Sequence, residues 1–403
     1  MTHRTLVTLG ACAVVTVSIA ACSSSGSSAS SSGAAVSGSK SSPVNILAVV
    51  DTSGPNKSVG VPELSGIEAG AAYVNAHGGI LGRKVHVTVA DDNGDPTTAD
   101  TAVVQALSSN PTEYSMIWGG EEGTETSALI PVIKRYKAYA VAINDGTNLC
   151  QNASNCPTEF TLTGSSQIPE EAQAAWFKSH GYKNVGILDE AIAFTQTEAT
   201  DLAADLAKDG IKTEAESFPT SAVSVTPEMS ALKSAGAQTV YAAMFGPPEG
   251  YILNARPELG WQVPVLFESA GSSLDISTLA PASEMTDAYE TPFYCETVSH
   301  SVPGLALIPK YGSVNETLPC SSWGQGWDGV LLLRAAATKA GSLDASALTT
   351  ATQSLSLTTA NNMVFQTAYC YKPTDHENVC STPVDYQVEP VGAISDGQLH
   401  PVG

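Results

Sequence analysis

Apolar and polar positions alternate between strand and helix periods along most of this chain. Val44 to Asp51 (VNILAVVD) is a mostly apolar run and reads as a buried strand. Leu64, Ile67, Ala71 and Val74 recur at helical spacing and lay one apolar stripe on a helix, which Gly78 and Gly79 end. After a tight connection, Ile80 to Arg83, Val85, Val87 and Val89 alternate with His86, Thr88 and Ala90 at the strand period. Asp95-Pro96 opens the next helix, with Asp as N-cap and Pro at the first helical position. Strand, helix, strand, helix is the signature of a parallel sheet.

The pattern continues downstream. A helix is predicted from Pro96 to about Ser108, a strand at Met116 to Trp118, a helix to about Tyr136 and a strand at Tyr139 to Ile143. Asn144 to Leu162 reads as a long loop. A second alternation follows: helix Pro169 to His180, strand Val185 to Asp189, helix Thr195 to Asp209 stopped by Gly210, and strand Ile211 to Ser217. Thr226-Pro227-Glu228 predicts a second helix start of the N-cap-plus-Pro kind. Thr239 to Met244 is a strand, Pro247 to about Leu259 a helix, Pro264 to Phe267 a strand, and Trp327 to Ala340 a strong helix. No tandem repeat of short period occurs.

One stretch resembles a known family. A strand, the Thr52 to Pro55 loop (TSGP), a helix ending Asn75 to Lys84 (NAHGGILGRK) and Asp91 to Pro96 (DDNGDP) look like the opening of the Leu/Ile/Val-binding family, the type I periplasmic binding proteins of ABC importers. The resemblance implies an α/β fold of two Rossmann-like lobes with parallel sheets, joined by three hinge crossings around a cleft. On that frame residues 43–165 and about 290–345 form lobe one, and 166–289 with about 346–403 form lobe two. The Val388 to Val402 tail closes lobe two.

The N-terminus adds an address. Arg4 and the apolar Leu6 to Ala20 form an export signal over residues 1–21, too short to span a membrane. Ile19-Ala20-Ala21-Cys22 resembles a bacterial lipobox, which makes Cys22 the acylated new N-terminus; ordinary secretory cleavage is the competing reading. Residues 22–42 are almost wholly Ser, Gly and Ala, a flexible tether. About 360 residues remain, enough for two domains.

Composition narrows the partners. With 18 Lys+Arg against 40 Asp+Glu, the formal charge is -22, which argues against nucleic acid and against adhesion to anionic lipid. Beyond Cys12 and Cys22 six cysteines remain, allowing 15 connectivities. Their clustering favours Cys150–Cys156, Cys295–Cys320 and Cys370–Cys380. A zinc site is the competing reading, against which no C-x-x-C pair and no suitably spaced His occur.

Catalytic signatures are absent. There is no G-x-x-x-x-G-K-[ST], H-E-x-x-H or G-x-S-x-G. Asp91 to Pro96 looks superficially like a calcium loop but has Pro at position six and Ala102 at position twelve, so it fails as an EF-hand. The paired carboxylates Asp91-Asp92, Glu121-Glu122 and Glu170-Glu171 are adjacent only in sequence. No enzyme, cofactor or metal site is expected.

In open α/β sheets ligands bind beyond the carboxyl ends of strands, near helix N-termini. That rule selects Thr52 to Gly60, Gly119 to Thr124, Asn144 to Thr147, Glu190 to Thr195, Phe245 to Glu249 and Glu268 to Ser272. The candidate ligand-binding residues are Ser53, Ser58, Glu121, Glu122, Thr124, Asn144, Asp145, Phe194, Phe245 and Glu268. The resemblance implies Ser and Thr hydroxyls around a ligand carboxylate where this chain reads Gly-Gly-Glu-Glu-Gly-Thr. The family's aromatic residue in the first loop falls on Val59, and Phe194 stands where a Tyr-Gly pair is usual. Phe245 would be an apolar wall and Glu268 an ammonium partner. Phe194 and Phe245 also fit a core role, and Ser53, Ser58, Asn144 and Asp145 also fit turns.

These readings imply a lipid-anchored solute-binding protein that captures a small polar ligand (an amino acid, amide or cationic compound) and delivers it to an ABC permease. A surface-tethered sensor or scavenger of the same fold is the alternative. The acidic Glu121-Glu122 loop suits a cationic, amide-bearing or uncharged polar ligand better than a free amino acid, because neighbouring carboxylates repel. Equally, both glutamates fit the first turn of a helix, facing solvent.

Overall fold

The computed structural model describes residues 42–403 apart from 121–122, 145, 147, 166, 245, 269–275, 277–278, 297–301, 316–319, 396–397 and 402–403. Cys22 and the tether lie outside the described residues.

Two parallel-dominated sheets carry the molecule. The first runs β2-β1-β3-β4-β5, all parallel, from β1 (Val44–Val50), β2 (Val85–Asp91), β3 (Tyr114–Gly119), β4 (Ala140–Ala142) and β5 (Glu159–Thr161). The second runs β13-β10-β9-β8-β6-β7, from β6 (Asn184–Glu190), β7 (Lys212–Phe218), β8 (Thr239–Ala243), β9 (Val265–Phe267), β10 (Ala288–Glu290) and β13 (Glu389–Pro390). Only β13 is antiparallel there. A hairpin of β11 (Ser356–Thr358) and β12 (Ala368–Cys370) and another of β14 (Gly392–Ser395) and β15 (Gln398–Pro401) complete the strands. The chain passes between the sheets after β5, after β10 and again between β12 and β13. The expected fold of two lobes crossed three times is therefore present.

Each sheet is covered on both faces, as parallel sheets require. On the first, α1 (Lys57–Ala76) and α8 (Ser321–Ala340) bury Ile67, Val74, Trp327 and Val330 against one face. Residues of α2 (Pro96–Ser109) and α3 (Gly123–Tyr136) close the other with Val103, Leu107 and Leu129. On the second, α4 (Gln167–Ser179) and α5 (Ala193–Lys208) bury Phe177 and Leu202. Opposite them, α6 (Thr226–Ser234) and α7 (Pro247–Glu258) bury Met229 and Ile252. The remaining helix is α9 (Ala345–Thr352).

Local chemistry explains several boundaries. The Asp95 carboxylate accepts from Thr98 N at 2.7 Å with Pro96 next, so the first expected cap forms. The second differs: Thr226 is the first helical residue and Val225 holds the cap position. Ser224 Oγ instead accepts from Thr226 N at 3.2 Å, and Thr226 Oγ1 donates to Glu258 at 2.7 Å. Strand β5 was read as loop, because three residues cannot display a period of two. Helix α1 starts at Lys57, earlier than its apolar stripe, and carries Pro62 within it.

The three disulfides pair as expected, Cys150–Cys156, Cys295–Cys320 and Cys370–Cys380. The first and third segments are laced together: His376 N donates to Cys150 O at 2.8 Å, and the His376 ring stacks on Phe160 at 4.1 Å.

The assignment of residues 346–403 to the second lobe needs correction. Leu348, Leu357, Val364, Phe365, Tyr369 and Tyr371 pack in the first lobe's core, and only the later β13 joins the second sheet. The cause is Asp328 on α8, wholly buried, which accepts from Val364 N at 2.9 Å, Phe365 N at 2.9 Å and the Tyr369 hydroxyl at 2.6 Å. Burial pushes its carboxyl up to about 7 against those hydrogen bonds. Replacing Asp328 by Ala orphans three buried donors, each costing about 1–3 kcal/mol. We expect Asp328→Ala to lose at least about 3 kcal/mol in urea unfolding, and wild-type stability in that variant would refute the anchoring role.

Candidate functional site

The strand orders place the site. The first sheet reads 2-1-3-4-5, and the second repeats that order with β7-β6-β8-β9-β10. In such sheets the crevice lies beyond the carboxyl ends of the two strands flanking the reversal. Here those are β1 and β3 in one lobe, β6 and β8 in the other. The sequence rule selects the loops after these four strands and also those after β4 and β9.

In the first lobe, the loop after β1 is built by a carboxylate. Asp51, fully buried, accepts from Ser53 N at 3.0 Å, from Asn56 N at 2.7 Å and from Gly54 N. This loop is latched to the one after β2. Thr52 N donates to Asp91 at 3.0 Å and Ser53 Oγ donates to Asp91 at 2.6 Å. Gly54 is required here, since a Cβ would fall 2.5 Å from Asn93 O. The hydrogen bond from Ser53, then that from Thr52 N, hold the Asp91 carboxyl below its usual range. Asp92 goes the other way. Burial, then the charges of Glu125, Asp51 and Asp91, push it up to about 6 against a hydrogen bond from Gly94 N.

Loops after β3 and β4 approach each other closely. A Cβ on Gly123 would fall 2.5 Å from Gly146 Cα and 2.6 Å from Asn144 Oδ1. This brings the start of α3, with exposed Thr124, against Asn144. Thr124 Oγ1 donates to the buried Glu125 at 2.9 Å, and Asn144 Oδ1 accepts from Gly146 N at 2.9 Å.

In the second lobe three buried carboxylates gather at the corresponding edge. Glu170 comes from the first turns of α4, Glu198 from the second turn of α5, and Glu268 directly follows β9. Glu198 shares a hydrogen bond with Glu268. Neither carboxylate oxygen of Glu170 meets a donor on another described residue. Burial first, then the charges of Asp201, Glu268 and Asp205, raise Glu170 to about 9. Burial and the charges of Glu268 and Glu170 likewise push Glu198 well above the carboxylate range. At neutral pH Glu170 therefore holds its proton. Beside them Gln173 Nε2 donates to Thr291 Oγ1 at 3.1 Å, which donates to Phe267 O at 3.2 Å. That chain ties α4 to the second crossing.

A family model described as periplasmic binding protein matches residues 43–384. The chain belongs to the periplasmic binding protein family. It is of type I, the Leu/Ile/Val-binding-like branch, whose members are small-ligand receptors of ABC transporters acting outside the cytoplasm. No curated protein matches significantly. Among solved structures, this binding protein is similar to a type 1 periplasmic binding protein from Bordetella pertussis Tohama I. The TM-score is 0.73 at 20% identity, covering 90% of this chain and 100% of that one. An extracellular ligand-binding receptor from Rhodopseudomonas palustris HaA2 gives 0.73 at 18%, again covering 90% and 100%. A solute-binding protein of an ABC transporter from the same organism, in complex with p-hydroxybenzoic acid, gives 0.70 at 17%, covering 89% and 95%.

Of the expected ligand-binding residues, Ser53, Thr124 and Asn144 stand at the first lobe's edge, and Glu268 at the second's. Ser58 and Phe194 lie in α1 and α5, where the side chains are outside the described residues. Glu121, Glu122, Asp145 and Phe245 lie wholly outside them. Asp51, Asp91, Asp92, Glu125, Glu170 and Glu198 were not singled out as ligand residues. A signal existed for Glu198, an acid one helical turn before Leu202 on the buried stripe of α5.

Protonation of Glu170 has a measurable consequence. Its native pKa lies above the unfolded value, so the native state binds the proton more tightly between about 4.5 and 9. The stabilisation is full below that window and is lost as pH rises through it. Glu170→Gln, isosteric and uncharged, should flatten the fall in melting temperature from pH 5 to 9, with its largest gain over the wild type near pH 8 to 9. A variant with the wild-type slope would show that Glu170 is not the titrating group.

Proposed function

We propose that this binding protein is a lipid-anchored receptor that captures a small polar ligand between its lobes and delivers it to an ABC importer. Amino acid, amide and cationic ligands all suit the fold. Its chemistry favours one presenting positive charge or hydrogen-bond donors over one presenting a free carboxylate. The observation that carries this is Glu170, buried at the second lobe's edge beside Glu198 and Glu268, where burial and the charges of neighbouring acids oppose its ionisation. An incoming carboxylate would be tolerated there only while Glu170 keeps its proton, and would meet the charges of Asp201 and Asp205 beyond it. An ammonium or amide would supply donors, displacing protons where it is charged. The ligand-stabilised closed form is what the permease would read, since a ligand shifts the equilibrium by its differential affinity for the two forms.

The test is a thermal-shift panel on the purified protein with polyamines, basic amino acids and small amides beside leucine, isoleucine and valine. The largest shift should come from a cation or amide and should shrink by at least half in Glu268→Gln. Leucine giving the largest shift, undiminished in that variant, would overturn the ligand class. Anchoring rests on the lipobox, and is read separately. Cys22→Ala should accumulate as precursor or appear in the medium; a normally processed product retained at the membrane would count against acylation.

A further inference from the structure

We propose that the paired loops after β1 and β2 bind a calcium ion through Asp51, Asp91 and Asp92. One ligand atom of each lies within 4.8 Å of those of the other two. Calcium takes oxygens at 2.3–2.6 Å, so two oxygens on one ion stand at most about 5 Å apart. A single ion can therefore touch all three. Asp92 supplies the second, independent sign. Its side chain is 0% exposed, Oδ1 accepts from Gly94 N at 2.9 Å, and Oδ2 has no hydrogen-bond partner. An oxygen left that way inside a protein costs free energy unless a proton or a cation reaches it.

The surroundings favour a cation. Asp91 and Asp92 have no basic partner among the described residues, while Glu125 adds a fourth acidic group on the α3 side. Hydrogen bonds already hold the Asp51 and Asp91 carboxylates in place. Asp51 accepts from Ser53 N, Gly54 N and Asn56 N, and Asp91 from Thr52 N, Asn93 N and Ser53 Oγ. A carboxylate offers about four lone-pair sites, and the oxygen left open in this cluster is Asp92 Oδ2. The donors are oxygens only, which selects a hard cation, and calcium accepts irregular geometry where magnesium demands an octahedron. The EF-hand register fails on Asp91 to Pro96 because the ligands come from two loops, with Asp51 brought in from forty residues upstream. The proposal is independent of the ligand class argued above.

The experiment is equilibrium dialysis of the EDTA-treated, purified full chain against radiolabelled calcium chloride, with melting curves alongside. One ion per chain should bind with a Kd of about 10⁻⁴–10⁻³ M, the range of extracellular modules. A tenfold excess over Kd should raise the melting temperature by about 2 °C. Asp92→Asn, and Asp91→Asn as the exposed alternative should Asp92→Asn not fold, should each weaken binding at least about tenfold. Glu171→Gln, an exposed carboxylate of the second lobe, should leave it unchanged. No saturable uptake by the wild type, or equal uptake by both aspartate variants, would overturn the site. Greater stability of Asp92→Asn without calcium, together with a wild type that takes up none, would assign the cluster to a shared proton instead.

Discussion

Asp328 brings an ionisable group into the middle of the first core, and two main-chain N–H groups and a phenol converge on it there. A buried carboxylate is tolerable only when its lone pairs are met. Meeting them fixes residues 364–369 against α8, which itself packs along α1. The chain then leaves for the second lobe from a defined point. Nearby, Gln366 Nε2 donates to Tyr386 at 3.2 Å, and Phe293 lies 4.7 Å from Phe365 and 5.9 Å from Tyr386. The second and third crossings are thus packed on each other. Relative motion of the lobes must bend these strands of chain without breaking the Asp328 anchor beneath them.

Much of this was legible from residue pattern. Ile67, Ala71 and Val74 do face the core, Asp95-Pro96 does start α2, and the clustered cysteines do pair locally. These features are local, and their signals sit within a few residues of their effects. What escaped notice is non-local or brief. Asp328 looks like a polar interruption of an apolar helix until residues 364–369 arrive to satisfy it. Residues 346–371 carry no mark of which lobe they join. Strand β5 is too short for periodicity.

The candidate site divides the same way. Strand ends could be placed from sequence, so the loops that follow them could be named in advance. Their chemistry could not, because it depends on which acids the fold brings together. Asp91-Asp92 and Glu170-Glu171 were visible as pairs, yet in each pair only one member is buried. Asp92 and Glu170 turn inward while Asp91 and Glu171 face water. Burial, not adjacency, separates a solvating carboxylate from one whose ionisation is opposed by its surroundings.

Both lobes therefore carry, beyond the carboxyl ends of their strands, acids whose ionised form burial opposes. Closing two such edges removes water, and like charges interact more strongly as the local dielectric falls. If the lobes close as the proposed function requires, an empty closed form is for that reason disfavoured unless protons are taken up. A ligand or ion that brings positive charge or donors relieves the cost in the closed form more than in the open one. That difference, rather than affinity alone, is what shifts a two-state equilibrium. On the reading proposed above, the same acids that raise the cost of burial would let a filled cleft be told from an empty one.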